Sequence, residues 1–73
     1  MNINEIFTEY DTNIICVSDL GIQYRGARVD YITQDEHGSV QIWGGHPDDK
    51  YSEEFLPTKE ERKLIYEQIL EEM

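Results

Sequence analysis

Carboxylates dominate the side chains that could do chemistry in this sequence. Asp35, Glu36 and His37 run consecutively into Gly38, and His46 is followed closely by Asp48 and Asp49. Both groups offer oxygen and nitrogen donors, yet neither spacing matches a calcium loop or a zinc signature. They read as weak, adventitious metal binders, so no resident metal and no cofactor is expected. Nucleophilic catalysis fits poorly as well. Cys16 is the sole cysteine and lies between Ile15 and Val17 in an apolar run, where a buried thiol is inert. Neither His37 nor His46 has a neighbouring motif that would orient it as a general base. Gly44-Gly45 lacks the following Lys-Ser/Thr and the strand-to-helix setting of a phosphate loop. An enzyme is not expected. What remains for the carboxylates is recognition of cations.

The charge balance points the same way. Sixteen Asp and Glu against six Lys and Arg give a net charge of −10. Such a surface repels nucleic acid, whose binding relies on cations that neutralise phosphates, and it repels anionic membranes for the same reason. Basic protein surfaces are attracted, with fast and salt-sensitive association. The plainest alternative is that acidity only keeps a small chain soluble.

The carboxylates fall into three groups. Asp35 and Glu36 occupy a turn. Asp48, Asp49, Glu53 and Glu54 line a polar connection, with Lys50 their only cation and Tyr51 and Phe55 interleaved. Glu60, Glu67 and Glu71 share the outer face of a terminal helix, with Glu72 beside them. A segment mixing carboxylates with aromatic rings resembles a phosphate backbone beside exposed bases. Asp35, Glu36, Asp48, Asp49, Tyr51, Glu53, Glu54, Glu67 and Glu71 are therefore the candidate partner-binding residues. The terminal helix also inverts the usual charge order. Lys59, Arg62 and Lys63 fill its first half and Glu71 and Glu72 its last turn, whereas the helix dipole favours the reverse. Local violations of this kind occur where function outweighs stability.

The elements that must position these groups follow from periodicity. Asn2 caps a short helix to Tyr10, with Glu5 as its box-like partner and Ile3, Ile6, Phe7 and Tyr10 on one face. Ile14 to Val17 is a compact, partly β-branched run that reads as a buried strand. A second strand spans Ile22 to Thr33, interrupted by a bulge or bend at Arg25-Gly26, beyond which Ala27, Val29 and Tyr31 share a face. Gln34 to Gly38 is a tight turn in which Gly38 supplies a positive φ. Ser39 to Trp43 returns, with Val40 and Ile42 on one face and Gln41 and Trp43 on the other. Gly44-Gly45-His46-Pro47 ends the sheet, and a polar connection anchored by Tyr51, Phe55 and Leu56 leads to a helix from Thr58 to Met73. Thr58 and Glu61 form its capping box, and Ile65, Tyr66, Ile69, Leu70 and Met73 its apolar stripe. The expected fold is α+β: a short N-terminal helix, a three-stranded antiparallel sheet and a C-terminal helix.

Length and composition bound the rest. Seventy-three residues make a single domain, 1–73, with a small core and no intrachain disulfide. The longest purely apolar stretch is Ile14 to Val17, and no basic segment followed by an apolar run opens the chain. A cytoplasmic location is expected.

The opening Met1-Asn2-Ile3-Asn4-Glu5-Ile6, the acidic turn Asp35-Glu36-His37-Gly38 and the helix, three strands, helix order together resemble a known group. These are the small acidic anti-CRISPR proteins of phage origin that inhibit Cas9. The resemblance covers residues 1–45. It implies a DNA mimic that occupies the DNA-entry and PAM-reading surface, with Asp35 and Glu36 matching the family's acidic hairpin loop. The chain departs from that pattern in being shorter, in having one terminal helix instead of two, and in carrying Trp43 and Gly44-Gly45 after the third strand.

The resulting expectation is an inhibitor that occludes a basic surface of a nucleic-acid-binding protein, with Cas9 or another defence nuclease as the partner and the host cytosol as the place. Two other readings share the same surface physics or size. One is an immunity protein or antitoxin capping a basic toxin. The other is a homodimeric assembly module that pairs a strand edge or buries the Trp43 face.

Overall fold

A computed structural model describes residues 2–73; Met1, the first residue of the opening motif, lies outside them. The chain folds as α1 (Ile3–Glu9), β1 (Ile14–Cys16), a 3-10 turn (Ser18–Leu20), β2 (Gln23–Tyr24), β3 (Ala27–Gln34), β4 (Val40–Gly45), β5 (Glu53–Phe55) and α2 (Lys59–Glu72). This is the α+β class expected, two helices on an antiparallel sheet, but the sheet has five strands where three were predicted. The order is β1-β3-β4-β5, and β2 pairs with the other half of the β3 edge that β1 uses.

The two additional strands have local causes. Arg25 and Gly26 both adopt positive φ, 50° and 82°, as a type I′ hairpin turn requires. The expected bulge or bend is instead a full reversal, so Gln23-Tyr24 pairs back on Ala27-Arg28. At the other end, Gly44-Gly45 continues β4 and does not close the sheet. A Cβ on Gly44 would overlap the carbonyl oxygen of Arg28, so only glycine lets the two strands lie this close. Glu53 to Phe55 then pairs with Ile42 to Gly44 as an edge strand inside the segment predicted as a connection.

The bulge exists elsewhere. Val29 pairs with Gly44 and Tyr31 with Trp43, which leaves Asp30 as an extra residue in β3. That insertion flips the pattern: Ala27, Val29 and Ile32 face the core, while Tyr31 turns outward. One face of the sheet, carrying Ile15, Val29, Ile32 and Ile42, is covered by Ile3, Ile6 and Phe7 of α1 and Ile65 and Ile69 of α2. The other face has no covering element. For that reason Ile14 is 53% exposed and Cys16 lies at the surface, against the expectation of a buried strand.

The helix ends behave as their caps dictate. Asn2 accepts from the Glu5 amide at 3.1 Å, and Thr58 and Glu61 form the full reciprocal box. Tyr10 is the C-cap of α1 and is 55% exposed, and Met73 is 45% exposed, so neither joins the apolar face assigned to it. Phe55 does anchor, tilted against Tyr24 at 5.1 Å, but Tyr51 and Leu56 are each 81% exposed and anchor nothing. No described helix is long and apolar enough to cross a membrane.

Because Gly44 meets backbone and Gly45 meets atoms 3.2–3.3 Å away, the two glycines should differ in tolerance. Gly44→Ala is expected to destabilise by at least about 2 kcal/mol, as an overpacked site does, and Gly45→Ala by less. Urea unfolding of both variants checks the order.

Candidate partner-binding surface

The hairpin between β3 and β4 holds the first acidic group, and it divides the two carboxylates sharply. Asp35 Oδ1 accepts from the amides of His37 and Ser39, both at 2.9 Å, and Oδ2 accepts from the Gln41 side chain at 3.1 Å. The Ser39 amide above all, then the His37 amide and the Gln41 side chain, hold the Asp35 carboxyl below the usual carboxylate range, with partial desolvation opposing. Asp35 is thus the internal brace of its own turn. Gly38, at φ 84°, completes the reversal as the sequence foretold. Glu36 makes no such bonds; its side chain is 87% exposed with His37 Nε2 3.6 Å away. Of the pair, Glu36 is the free charge.

The second group is organised by Arg28. Its Nε donates to both Asp30 oxygens at 3.0 and 3.1 Å, Nη1 donates to the carbonyl of His46, and Nη2 to the carbonyl of Asp49 at 3.2 Å. The Ser52 hydroxyl closes the far side on Asp30. One guanidinium therefore holds the start and the middle of the 46–52 loop by its backbone, as its fixed fork of donors allows. Asp49 is drawn into the loop, accepting from the His46 amide at 3.0 Å. Asp48, Lys50 and Tyr51 stay exposed, and so do Glu53 and Glu54 on the edge strand. Charged residues on a short edge strand also discourage another strand from pairing there.

The uncovered sheet face joins these regions. Tyr31 and Trp43 stack with ring centres 5.8 Å apart and planes 14° from parallel. Glu54 pairs with Trp43 on that face and Cys16 with Tyr31. The indole Nε1 donates to Thr33 Oγ1 at 2.9 Å, and the Thr33 hydroxyl donates to Gln41 Oε1 at 2.9 Å. Since Gln41 also holds Asp35, a line of hydrogen bonds runs from the hairpin tip to the indole. The sequence placed Gln41 and Trp43 on this face, but the Tyr31 stack was hidden by the bulge.

The predicted residues are not all brought together. The hairpin tip and the 46–52 loop flank opposite ends of the six-residue β4, about 20 Å apart at 3.3 Å per residue. Glu53 and Glu54 lie between, along the edge. Glu67 and Glu71 belong to α2, in the helical layer behind the sheet, and contribute to a different side of the molecule. Within the described residues, no three His, Cys, Asp or Glu side chains converge as a metal site would need.

Electrostatically, the surface is left unbalanced. Only Asp30, with Arg28, and Glu61, with Arg25, form ion pairs with arginine or lysine, so fourteen of the sixteen carboxylates have no such partner among the described residues. The Thr58 amide and then Arg25 hold the Glu61 carboxyl below its ordinary range. Comparison with protein families, with curated proteins and with solved structures finds no match to this chain.

Two outcomes follow from these arrangements. A carboxyl depressed in the folded state stabilises above its unfolded pKa and loses that contribution as pH falls through the folded value. Wild type should therefore melt higher than Asp35→Asn at pH 7, and the gap should close below about pH 4. Arg28→Ala should expose the 46–52 loop to proteolysis and cost about 2–4 kcal/mol, because Asp30 and two carbonyls lose their donors together. Limited digestion and chemical unfolding would read both effects.

Proposed function

We propose that this chain inhibits a host defence nuclease, of the anti-CRISPR or anti-restriction kind, by covering its basic nucleic-acid-binding surface. The reading rests on one observation, the fourteen carboxylates that form no ion pair with arginine or lysine among the described residues. In a domain this small, unpaired like charges oppose folding through self-repulsion, so a partner's cations are the natural complement. Glu36, Asp48, Glu53 and Glu54 form the working array, spread along a rigid hairpin and its neighbouring edge. Asp35 and Asp49 shape the turns that carry them. Carboxylates meet guanidinium forks in bidentate, charge-assisted pairs. A PAM-reading site of the Cas9 type presents such arginines, poised for guanine edges and with phosphates nearby. The inhibitor acts by occupancy, without turnover, in the cytosol where that nuclease works.

The array is also stiff. β3 and β4 are paired through six registered positions, and the tip is braced by Asp35, so little entropy is lost on docking. The stacked Tyr31 and Trp43 next to Glu54 offer an aromatic platform on which a partner arginine can lie.

Native gel competition tests the proposal on guide-loaded Cas9 and on a type II restriction enzyme. A saturating amount of the chain should displace target DNA from one of them at low salt and release it again as salt rises. If both keep their DNA at saturation, the proposal fails. Glu36→Lys with Asp48→Lys should slow association, and Glu53→Lys with Glu54→Lys should do so more strongly because Glu54 adjoins the aromatic platform.

A further inference from the structure

Glu60 and Glu61 suit the first turn of α2, but its other charges have no partner within the monomer among the described residues. Lys59 and Lys63 stand four residues apart, as do Glu67 and Glu71, and like charges at that spacing repel. The cationic pair sits at the end where the helix dipole favours anions, and the anionic pair at the end where it favours cations. Arg62 lies between the lysines. None of Lys59, Arg62, Lys63, Glu67 and Glu71 takes part in an ion pair among the described residues. In a chain with sixteen carboxylates, three of its six cations thus gather on half a helix and stay unmatched.

All of these but Glu71 border a shallow, mainly apolar groove of about 740 Å³, which Tyr66 and Leu70 also line opposite Asn2 and Ile3. Burial against this wall raises the Tyr66 hydroxyl above its ordinary pKa. Residues 59, 63, 66, 70 and 73 repeat at intervals of four and three, the spacing of a helix seam. At the end of that series Met73 is 45% exposed.

We infer that two copies of this chain pair through α2 in antiparallel, two-fold fashion. Lys59 and Lys63 of each copy then face Glu71 and Glu67 of the other, with Tyr66 near the axis. A second copy is favoured as the occupant because it supplies the missing charges in reverse order along one helix length. The same contact relieves both like-charge pairs and sets the two helix dipoles in opposition. An isologous interface needs a self-complementary patch, and α2 offers one, with Lys59 and Lys63 toward one end and Glu67 and Glu71 toward the other. The sheet and its acidic array lie on the far side of each copy and stay free, so the dimer would present two arrays.

Sedimentation equilibrium on the full chain, up to about 1 mM, tests this. Wild type should dimerise. Lys59→Glu with Lys63→Glu, and separately Glu67→Lys with Glu71→Lys, should each weaken dimerisation by about tenfold or more. An equimolar mixture of the two variants should recover it. One variant carries −14 and the other −6, so the mixture has the same total charge as wild type, and recovery must come from placement. Circular dichroism confirms that each variant stays folded. A monomeric wild type at 1 mM overturns the inference, as does a dimer that ignores the reversals or a mixture that does not recover. Any of these outcomes leaves the DNA competition result untouched.

Discussion

A chain with so few cations has to place each one where it matters most, and Arg28 shows the consequence. Its guanidinium does not neutralise the acidic loop beside it. It binds the carbonyls of His46 and Asp49 and spends its charge on Asp30, the residue that the β3 bulge leaves without a strand partner. The loop is therefore held by its backbone while the side chains of Asp48, Glu53 and Glu54 stay exposed. Without that clamp, the like charges between residues 48 and 54 would drive the segment away from the sheet. β5 would lose its neighbour, and Phe55 its place against Tyr24. The loop and the edge strand that follows it both depend on one half-buried fork of donors.

The sheet is packed on one side only, and this asymmetry governs the rest of the surface. The two helices supply enough apolar side chains to cover one face and no more. Polar residues and stacked aromatics fill the other, so the domain has a dry side that keeps it folded and a wet side free for contacts.

Much of this was legible in the sequence, and the failures are instructive. The caps at Asn2 and Thr58, the Gly38 turn and the core positions Ile6, Phe7, Ile65 and Ile69 are local signals with local causes, and the fold honours them. What periodicity could not reveal is where one strand slips against another. Asp30 looks like an ordinary outward residue, yet its insertion exchanges Tyr31 for Ile32 in the core. Gly44 looks like a strand breaker, yet it is the residue that lets two backbones touch. Arg25-Gly26 reads as a kink because an arginine at positive φ is uncommon, and the Glu61 contact that fixes it comes from 36 residues away. For the candidate surface, sequence identified the acidic residues but not which were spoken for. Asp35 and Asp49 are consumed by turn amides, a fact set by geometry and not by composition.

The bonds leading from Asp35 through Gln41 and Thr33 to Trp43 have a practical consequence. Trp43 is the only tryptophan in the chain, and its N–H points into that line. Anything that loosens the tip, whether acid or a docking arginine, shifts Gln41 and so the polarity felt by the indole. The molecule carries its own optical gauge, and ultraviolet emission can follow events at a loop that contains no chromophore.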